Sequence, residues 1–382
     1  MIAIFFFILG IVLFICLVLV HEWGHFIMAR RGGVDVEEFG LGFPPQAKVL
    51  TKKNGTIYSL NWLPLGGFVK LAGEHDQDTK PGTFGAAPLS TKVKIMLAGV
   101  VMNLAAAFVL FTIVALIGMP KILPNQTTIA SDTKIVKLPE NMGVIKIDEV
   151  VAGSPAERAG LRTEDQLVTI GGVTIDSPEK VSQATEANAG QTVSVEVRRG
   201  SETITQDITL NQTSPYLGVG PYSAQTGLEI RRSTWSAPIV ALGVTRDFTI
   251  ATIRGLGSAL SGLGSTIAGL LTGNREARQS GQEQASGQVA GPIGIFAVLY
   301  EISKQGIGLV LFIIGIISLT LAIMNALPIP ALDGGRLFVT LLFRGLKKPL
   351  RPELEERIHG TGFAVLLLLL VLVTVVDIRR FL

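Results

Sequence analysis

Two histidines four residues apart, His21 and His25, with Glu22 beside the first, form the densest cluster of reactive side chains in the sequence. On a continuous helix that spacing stacks the imidazoles one turn apart on one face, within reach of a single ion. It is the HExxH pattern, in which two histidines bind Zn2+ and the glutamate is a general base. The chain holds only four histidines, so a chance match is on the order of one in several hundred shuffles. The bland alternative is a polar flank at the headgroups, capping a membrane helix. Ionisable groups at such a place are costly and functional by default, which favours the metal.

Two histidines do not complete a catalytic zinc site, which usually takes three protein ligands and leaves one position for water. The acidic residue set against the end of another apolar block is Asp333, in Asn325-Ala326-Leu327-Pro328-Ile329-Pro330-Ala331-Leu332-Asp333-Gly334-Gly335. The prolines stop the helix and the glycines permit a tight turn, so the carboxylate is presented from an unwound end. Alone, Asp-Gly-Gly after a span reads as an ordinary loop turn. Pairing with HExxH reverses that reading. Cys16, the single cysteine, sits in an apolar run and is expected only to pack, while His75 and His359 are expected at the surface.

The elements that must position these residues are membrane helices. Of 382 residues, 48% are hydrophobic and only 16% charged, and the mean hydropathy is +0.48, which excludes disorder and is too apolar for an ordinary soluble chain. One cysteine excludes a multi-cysteine metal site. A net charge of +3, with the basic residues between the apolar blocks, does not suggest nucleic acid. Four apolar blocks predict a multi-pass α-helical protein with four transmembrane helices. Residues 1–31 form the first, carrying HExxH, with no basic residue before the apolar run and no small-residue cleavage site after it, unlike a signal peptide. Short β-like runs over 32–80 predict a small membrane-associated sheet of three or four strands. Helix two covers 92–120. Residues 127–222 read as an inserted soluble domain, 236–273 as an interfacial helical region because of Arg246, Asp247 and Arg254, and 274–290 as a flexible linker. Helix three with the Leu-Asp-Gly motif is assigned to 291–340, a loop to 341–361, and helix four with the end of the sequence to 362–382.

A parity argument links the blocks. If 236–273 does not cross, blocks one and three traverse the bilayer in the same sense and His21, His25 and Asp333 emerge at one face. If it crosses, Asp333 lies roughly 30 Å away. Arg30, Arg31, Lys48, Lys52, Lys53, Lys92 and Lys94 flank the first loop and Arg344, Lys347, Lys348, Arg351 and Arg357 the third. The positive-inside rule makes both loops cytoplasmic and the inserted domain extracytoplasmic, with the metal toward the cytoplasmic side. Arg379 and Arg380 oppose this but are outnumbered.

In the inserted domain, the strand near Met142 to Ile147, the capped helix Ser154 to Leu161 and the hairpin that follows resemble the circularly permuted PDZ domains of bacterial membrane-associated proteases. That resemblance implies capture of a peptide terminus by strand addition near Tyr216 to Val219. The whole chain, with HExxH in the first span, Gly-Gly-Phe-Val-Lys at 66–70 and Asn-x-x-Pro-x-Pro-x-Leu-Asp-Gly at the third, resembles the site-2 protease family of intramembrane zinc proteases, in particular its bacterial regulator-of-sigma-E branch. It has room for one PDZ domain where well-known members of that branch have two. The resemblance implies Zn2+ on His21, His25 and Asp333, Glu22 as catalytic base, and substrate contacts at Asn325, Gly66 and Gly67. It also implies a bacterial inner membrane and single-pass substrates such as anti-sigma factors or remnant signal peptides. An exposed edge within 56–71 would replace backbone bonds lost when a helical substrate unwinds; the equal alternative is a hairpin that only packs at the membrane face. Two rival readings remain: a catalytically inactive scaffold working through its PDZ domain, and a membrane zinc protease acting on soluble or interfacial peptides.

Overall fold

An apolar run without proline makes α1 (Ile2–Arg31) one unbroken helix of 30 residues, about 45 Å long at about 1.5 Å per residue. HExxH therefore continues the spanning helix instead of following it. The computed structural model describes residues 2–74, 78–138, 143–223, 228–272, 274 and 291–381. The chain divides into two compact units, Met1–Lys134 with Arg231–Leu382, and Ile135–Ile230.

After α1 come two long strands, β1 (Val36–Lys53) and β2 (Thr56–Leu71). They join through Asn54-Gly55, both left-handed at φ 50° and 81°, the conformation that suits a tight hairpin turn. Both strands bend, so that Glu38 pairs with Lys70 on one side and Ile57 on the other. The 36–41 run thus lies between 67–71 and the 57–60 run, which pairs in turn with the returning half of β1. No other strand joins this sheet among the described residues, which leaves 67–71 as an edge. Aromatic packing seats the sheet on α1: Trp23 stacks on Phe26 at 5.2 Å, Phe26 meets Phe39 edge-on at 5.8 Å, and Phe39 lies 6.1 Å from Tyr58. Beneath it Ala29, Val34, Val36, Leu71, Phe84, Ile95 and Met96 close a small core.

Next come α2 (Leu89–Ile117) and the short strands β3 (Met119–Pro120) and β4 (Lys134–Lys137). The second unit follows with β5 (Ile145–Val150), α3 (Pro155–Arg158), β6 (Gln166–Ile170), β7 (Val173–Thr174), α4 (Pro178–Ala187), β8 (Thr192–Arg199), β9 (Glu202–Thr209) and β10 (Val219–Ser223). Alternation puts Val193, Val195 and Val197 inside with Ile145, Ile147, Leu167 and Ile170. The antiparallel sheet runs β10-β5-β6-β8-β9, with β7 on β6. Ser154 caps α3 by accepting the Glu157 amide at 3.2 Å. The strand expected near Met142 to Ile147 starts at Ile145, and Met142 lies outside the described residues.

The short β11 (Ile230–Arg232) leads into α5 (Ala237–Thr272), one helix of 36 residues over the region expected to be interfacial. Its Asp247 accepts hydrogen bonds from the Thr127 amide and hydroxyl at 2.7 and 2.6 Å. Phe248 packs against Phe111 of α2 and Phe312 of the next long helix. Of the expected linker, all but Asn274 lies outside the described residues. The 291–340 segment, expected to hold the third span at about 307–327 and the Leu-Asp-Gly motif, contains three helices: α6 (Pro292–Ser303), α7 (Ile307–Ala326) and α8 (Asp333–Gly345). Gly306, at φ 107°, separates the first two, and Pro328 and Pro330 separate the last two. The expected 341–361 loop is largely helical, because α8 continues to Gly345 and α9 (Pro352–Phe381) begins well before 362. Proline at the first helical position explains that early start. Among the described residues three helices, α1, α2 and α7, are long and apolar enough to cross a membrane.

Candidate metal centre

The site is built where α1 and α2 touch. Gly24 and Gly99 remove the side chains that would hold the helices apart: a Cβ at Gly24 would stand 2.7 Å from the Ala98 carbonyl oxygen. The two imidazoles lie across Gly99, where a Cβ would be 2.5 Å from His25 Nε2 and 2.6 Å from His21 Nδ1. His25 donates its Nδ1–H to the Ile95 carbonyl at 2.8 Å. A carbonyl only accepts, so His25 carries its proton on Nδ1 and leaves the Nε2 lone pair bare.

Asp333 arrives from the far end of α7. Leu327, extended ahead of Pro328, ends that helix, and Ala331 turns the chain at φ 78°. A left-handed alanine costs on the order of 1 kcal/mol, and it is held by an amide hydrogen bond to His359 Nδ1 at 3.2 Å. His359, expected at the surface, is thus half-buried against this turn. Gly334 and Gly335 then let the first turn of α8 press on the 326–330 backbone: a Cβ at Gly335 would overlap the Ile329 carbonyl. Arg336, one turn on, donates to the Glu74 carbonyl at 2.6 Å, tying α8 to the chain that leaves the 67–71 edge.

Three atoms converge as a result. Asp333 Oδ2 is 3.2 Å from Nε2 of His21 and 3.2 Å from Nε2 of His25, and the two nitrogens are 3.3 Å apart. A tetrahedral ion with bonds of about 2.0–2.1 Å spaces its ligand atoms about 3.3 Å apart, so the triangle has the size of one zinc face. Buried Asp333 Oδ2 has no hydrogen-bond donor and faces the Nε2 atoms of both imidazoles. A buried carboxylate oxygen without a donor, set between two ring nitrogens, calls for a cation. Among the described residues this is the only group of three or more His, Cys, Asp or Glu arranged to hold a metal. At the other end of the bundle, a Cβ on Gly10 of α1 would meet Val310 of α7 at 3.5 Å. Helices α1 and α7 therefore run in the same sense.

The other predicted residues fall on two sides of this triangle. Glu22 is half-buried beside it, and a Cβ at Gly67 would be 3.3 Å from its Cγ, which brings the sheet edge against the glutamate. Gly66, at φ 86°, sits under the Phe43 ring. Asn325 is half-exposed in the last turn of α7. Small residues such as Ala98 and Gly99 were expected to pack helices closely, but the place of Gly99 beneath the imidazoles and the role of Asn103 on α2 were not read from the sequence. Asn103 is 1% exposed and its Nδ2 lies 3.2 Å from His21 Nδ1. An asparagine inside an apolar block, four residues after a glycine, was the available signal.

Membrane-length helices that carry HExxH, with a carboxylate from a distant helix closing the third corner, define a membrane metallohydrolase. Comparison with known proteins agrees. The profile of peptidase family M50 matches residues 9–369, and the chain belongs to that family of zinc-dependent site-2 proteases. A Clostridium perfringens protein named for zinc metalloprotease activity is 30% identical over 374 residues, 97% of this chain and 98% of the relative. The zinc metalloprotease RasP of Shouchella clausii is 28% identical, covering 97% of this chain and 98% of its own length. RasP of Oceanobacillus iheyensis is 27% identical over the same shares.

Proposed function

We propose that this chain is a zinc metalloendopeptidase that cleaves peptide bonds inside the bilayer, with Zn2+ held by His21 Nε2, His25 Nε2 and Asp333 Oδ2. The observation that carries this is the triangle of His21 Nε2, His25 Nε2 and Asp333 Oδ2, with edges of 3.2–3.3 Å. Bound there, the ion supplies a Lewis acid that polarises the peptide carbonyl and acidifies water beside it. Glu22 takes the proton of the attacking water and returns it to the leaving nitrogen. Cys16 has no part in this, and no covalent intermediate is needed.

A spanning substrate hides its carbonyls in helical hydrogen bonds and must unwind before attack. The free edge at 67–71 lies against Glu22 and offers a backbone ladder to replace those bonds, with Gly66 and Gly67 keeping the approach clear. Asn325, at the end of α7, holds the substrate backbone from another side. Residues 135–230 act as a PDZ-type module that admits trimmed substrates or holds a new terminus. With α9 as the fourth span, the basic loops place the site toward the cytoplasm of a bacterial inner membrane and this module outside it. Substrates are single-pass segments, of anti-sigma-factor or remnant signal-peptide type.

The test uses purified protein in detergent with a single-span reporter. Asp333→Asn is expected to lose zinc and cleavage together, and Glu22→Gln to lose cleavage by about 10^2–10^4-fold with zinc retained. Cellular function left intact by Glu22→Gln, with no cleavage by the zinc-loaded wild type, would leave the scaffold reading standing; unchanged cleavage in Glu22→Gln would remove Glu22 as the base.

A further inference from the structure

We propose that Asn103 is a positioning residue for the metal: its carboxamide oxygen accepts the Nδ1–H of His21 and so aims His21 Nε2 at the ion. This rests on the ligand set proposed above. A histidine that ligates through Nε2 carries its proton on Nδ1, and the neighbour of Nδ1 must then be an acceptor. For His25 that acceptor is the Ile95 carbonyl at 2.8 Å. For His21 the neighbour is the Asn103 carboxamide, with Nδ2 at 3.2 Å and Oδ1 buried without a donor. An amide nitrogen does not accept. With nitrogen facing nitrogen, His21 would have to carry its proton on Nε2, inside the ligand triangle. A half-turn about the Cβ–Cγ bond exchanges oxygen and nitrogen in nearly the same volume. It gives His21 an acceptor and the orphaned oxygen a donor.

Asn103 is also held firmly enough to do this. Its own carbonyl accepts the Ser318 hydroxyl at 2.8 Å, and Ser318, on α7, is fully buried. The asparagine is therefore fixed in height by the helix that leads to Asp333. It makes no contact with substrate and acts only through His21.

The test compares Asn103→Leu, which has neither polar atom, with Asn103→Asp, which only accepts. Zinc affinity is measured on the full chain in detergent by competition with a chromophoric chelator, and the ligand field from the visible spectrum of the Co2+-substituted protein. Asn103→Leu is expected to bind zinc about 10–100-fold more weakly with an altered cobalt spectrum. Asn103→Asp is expected to match or exceed the wild-type affinity. Should Asn103→Leu fail to fold, as judged by thermal unfolding of the metal-free protein, Asn103→Ala takes its place. Wild-type affinity in the variant lacking both polar atoms would overturn the proposal, as would equal weakening by Asp and Leu, the signature of helix packing alone. Asp333→Asn is measured alongside. If it keeps its zinc, the ligand set fails; if it loses zinc while Asn103→Leu does not, only the role of Asn103 fails.

Discussion

Gly99→Ala adds one methyl group at the point where the two imidazoles rest on α2. The added carbon would stand 2.5 Å from His25 Nε2 and 2.6 Å from His21 Nδ1, and closer still to His21 Cε1. Carbon contacts are comfortable from about 3.5 Å, so the rings or the helix must withdraw by about 1 Å. A misplacement of that size at a reacting centre costs on the order of 10^2 in rate, or about 2.7 kcal/mol of transition-state stabilisation. Helix propensity pulls the other way, since alanine is preferred to glycine by about 1 kcal/mol in a helix interior, and the overpacking strain is typically about 1–3 kcal/mol. Thermal stability should therefore change little while activity falls. The assay follows cleavage of a single-span reporter, with zinc content and thermal unfolding measured on the same samples. Gly257→Ala on α5, where a Cβ meets nothing within 4 Å, controls for the general effect of losing a helical glycine and should keep full activity. Wild-type cleavage and zinc in Gly99→Ala would refute the argument, because the rings could not then lie where the distances put them.

Removing the metal should abolish cleavage and lower thermal stability, by about 4 kcal/mol if free zinc stood at a thousand times its dissociation constant; readdition should restore both, and an unchanged unfolding curve after chelation would count against a structural share for the ion. In the second unit, Asp165 is 1% exposed and accepts from Arg199 Nε and Nη2 at 2.7 Å and from the Arg162 amide at 2.8 Å. Burial pushes its carboxyl up, but the guanidinium and the amide outweigh burial and hold it below the usual carboxylate range. A depressed folded value means that the stability from this group is complete above the unfolded value near pH 4 and is lost as pH falls through the folded one. The protection of β6 and β8 amides against hydrogen exchange, relative to the intrinsic rate at each pH, should accordingly fall below about pH 4. Arg199→Ala should destabilise this unit at neutral pH, and exchange rates unaltered by that substitution would contradict the assignment.

How much of this could be read in advance differs between neighbouring residues. The four-residue spacing of His21 and His25 specifies a shared helix face whatever the rest of the chain does, because helical periodicity is local. Asp333 could be paired with them only through its setting: two prolines that must end a helix and two glycines that permit close backbone approach. The extents of α8 and α9 were misjudged for a related reason. Hydropathy marks where a helix is apolar, whereas its ends follow from Pro352 at a first turn and from the α8 backbone running on past the apolar residues. The double pairing of the 36–41 run was invisible too. Alternation shows which face of a strand is apolar, but it does not say which partner lies on which side.

Gly99 and Asn103 show why the support of a site is harder to read than its ligands. A ligand is named by its own chemistry, since an imidazole or carboxylate in an apolar run is expensive wherever it points. A supporting residue is named by what it lies against, and that depends on how α2 is rotated relative to α1. Small residues at 98 and 99 marked a close helix contact, and Asn103 repeats the spacing of the two histidines on the facing helix. Two i, i+4 pairs on adjacent helices, one holding the rings and the other receiving them, are the physical reason the triangle has its size. That arrangement makes the α1–α2 contact, more than the distant carboxylate, the part of the bundle least tolerant of added volume.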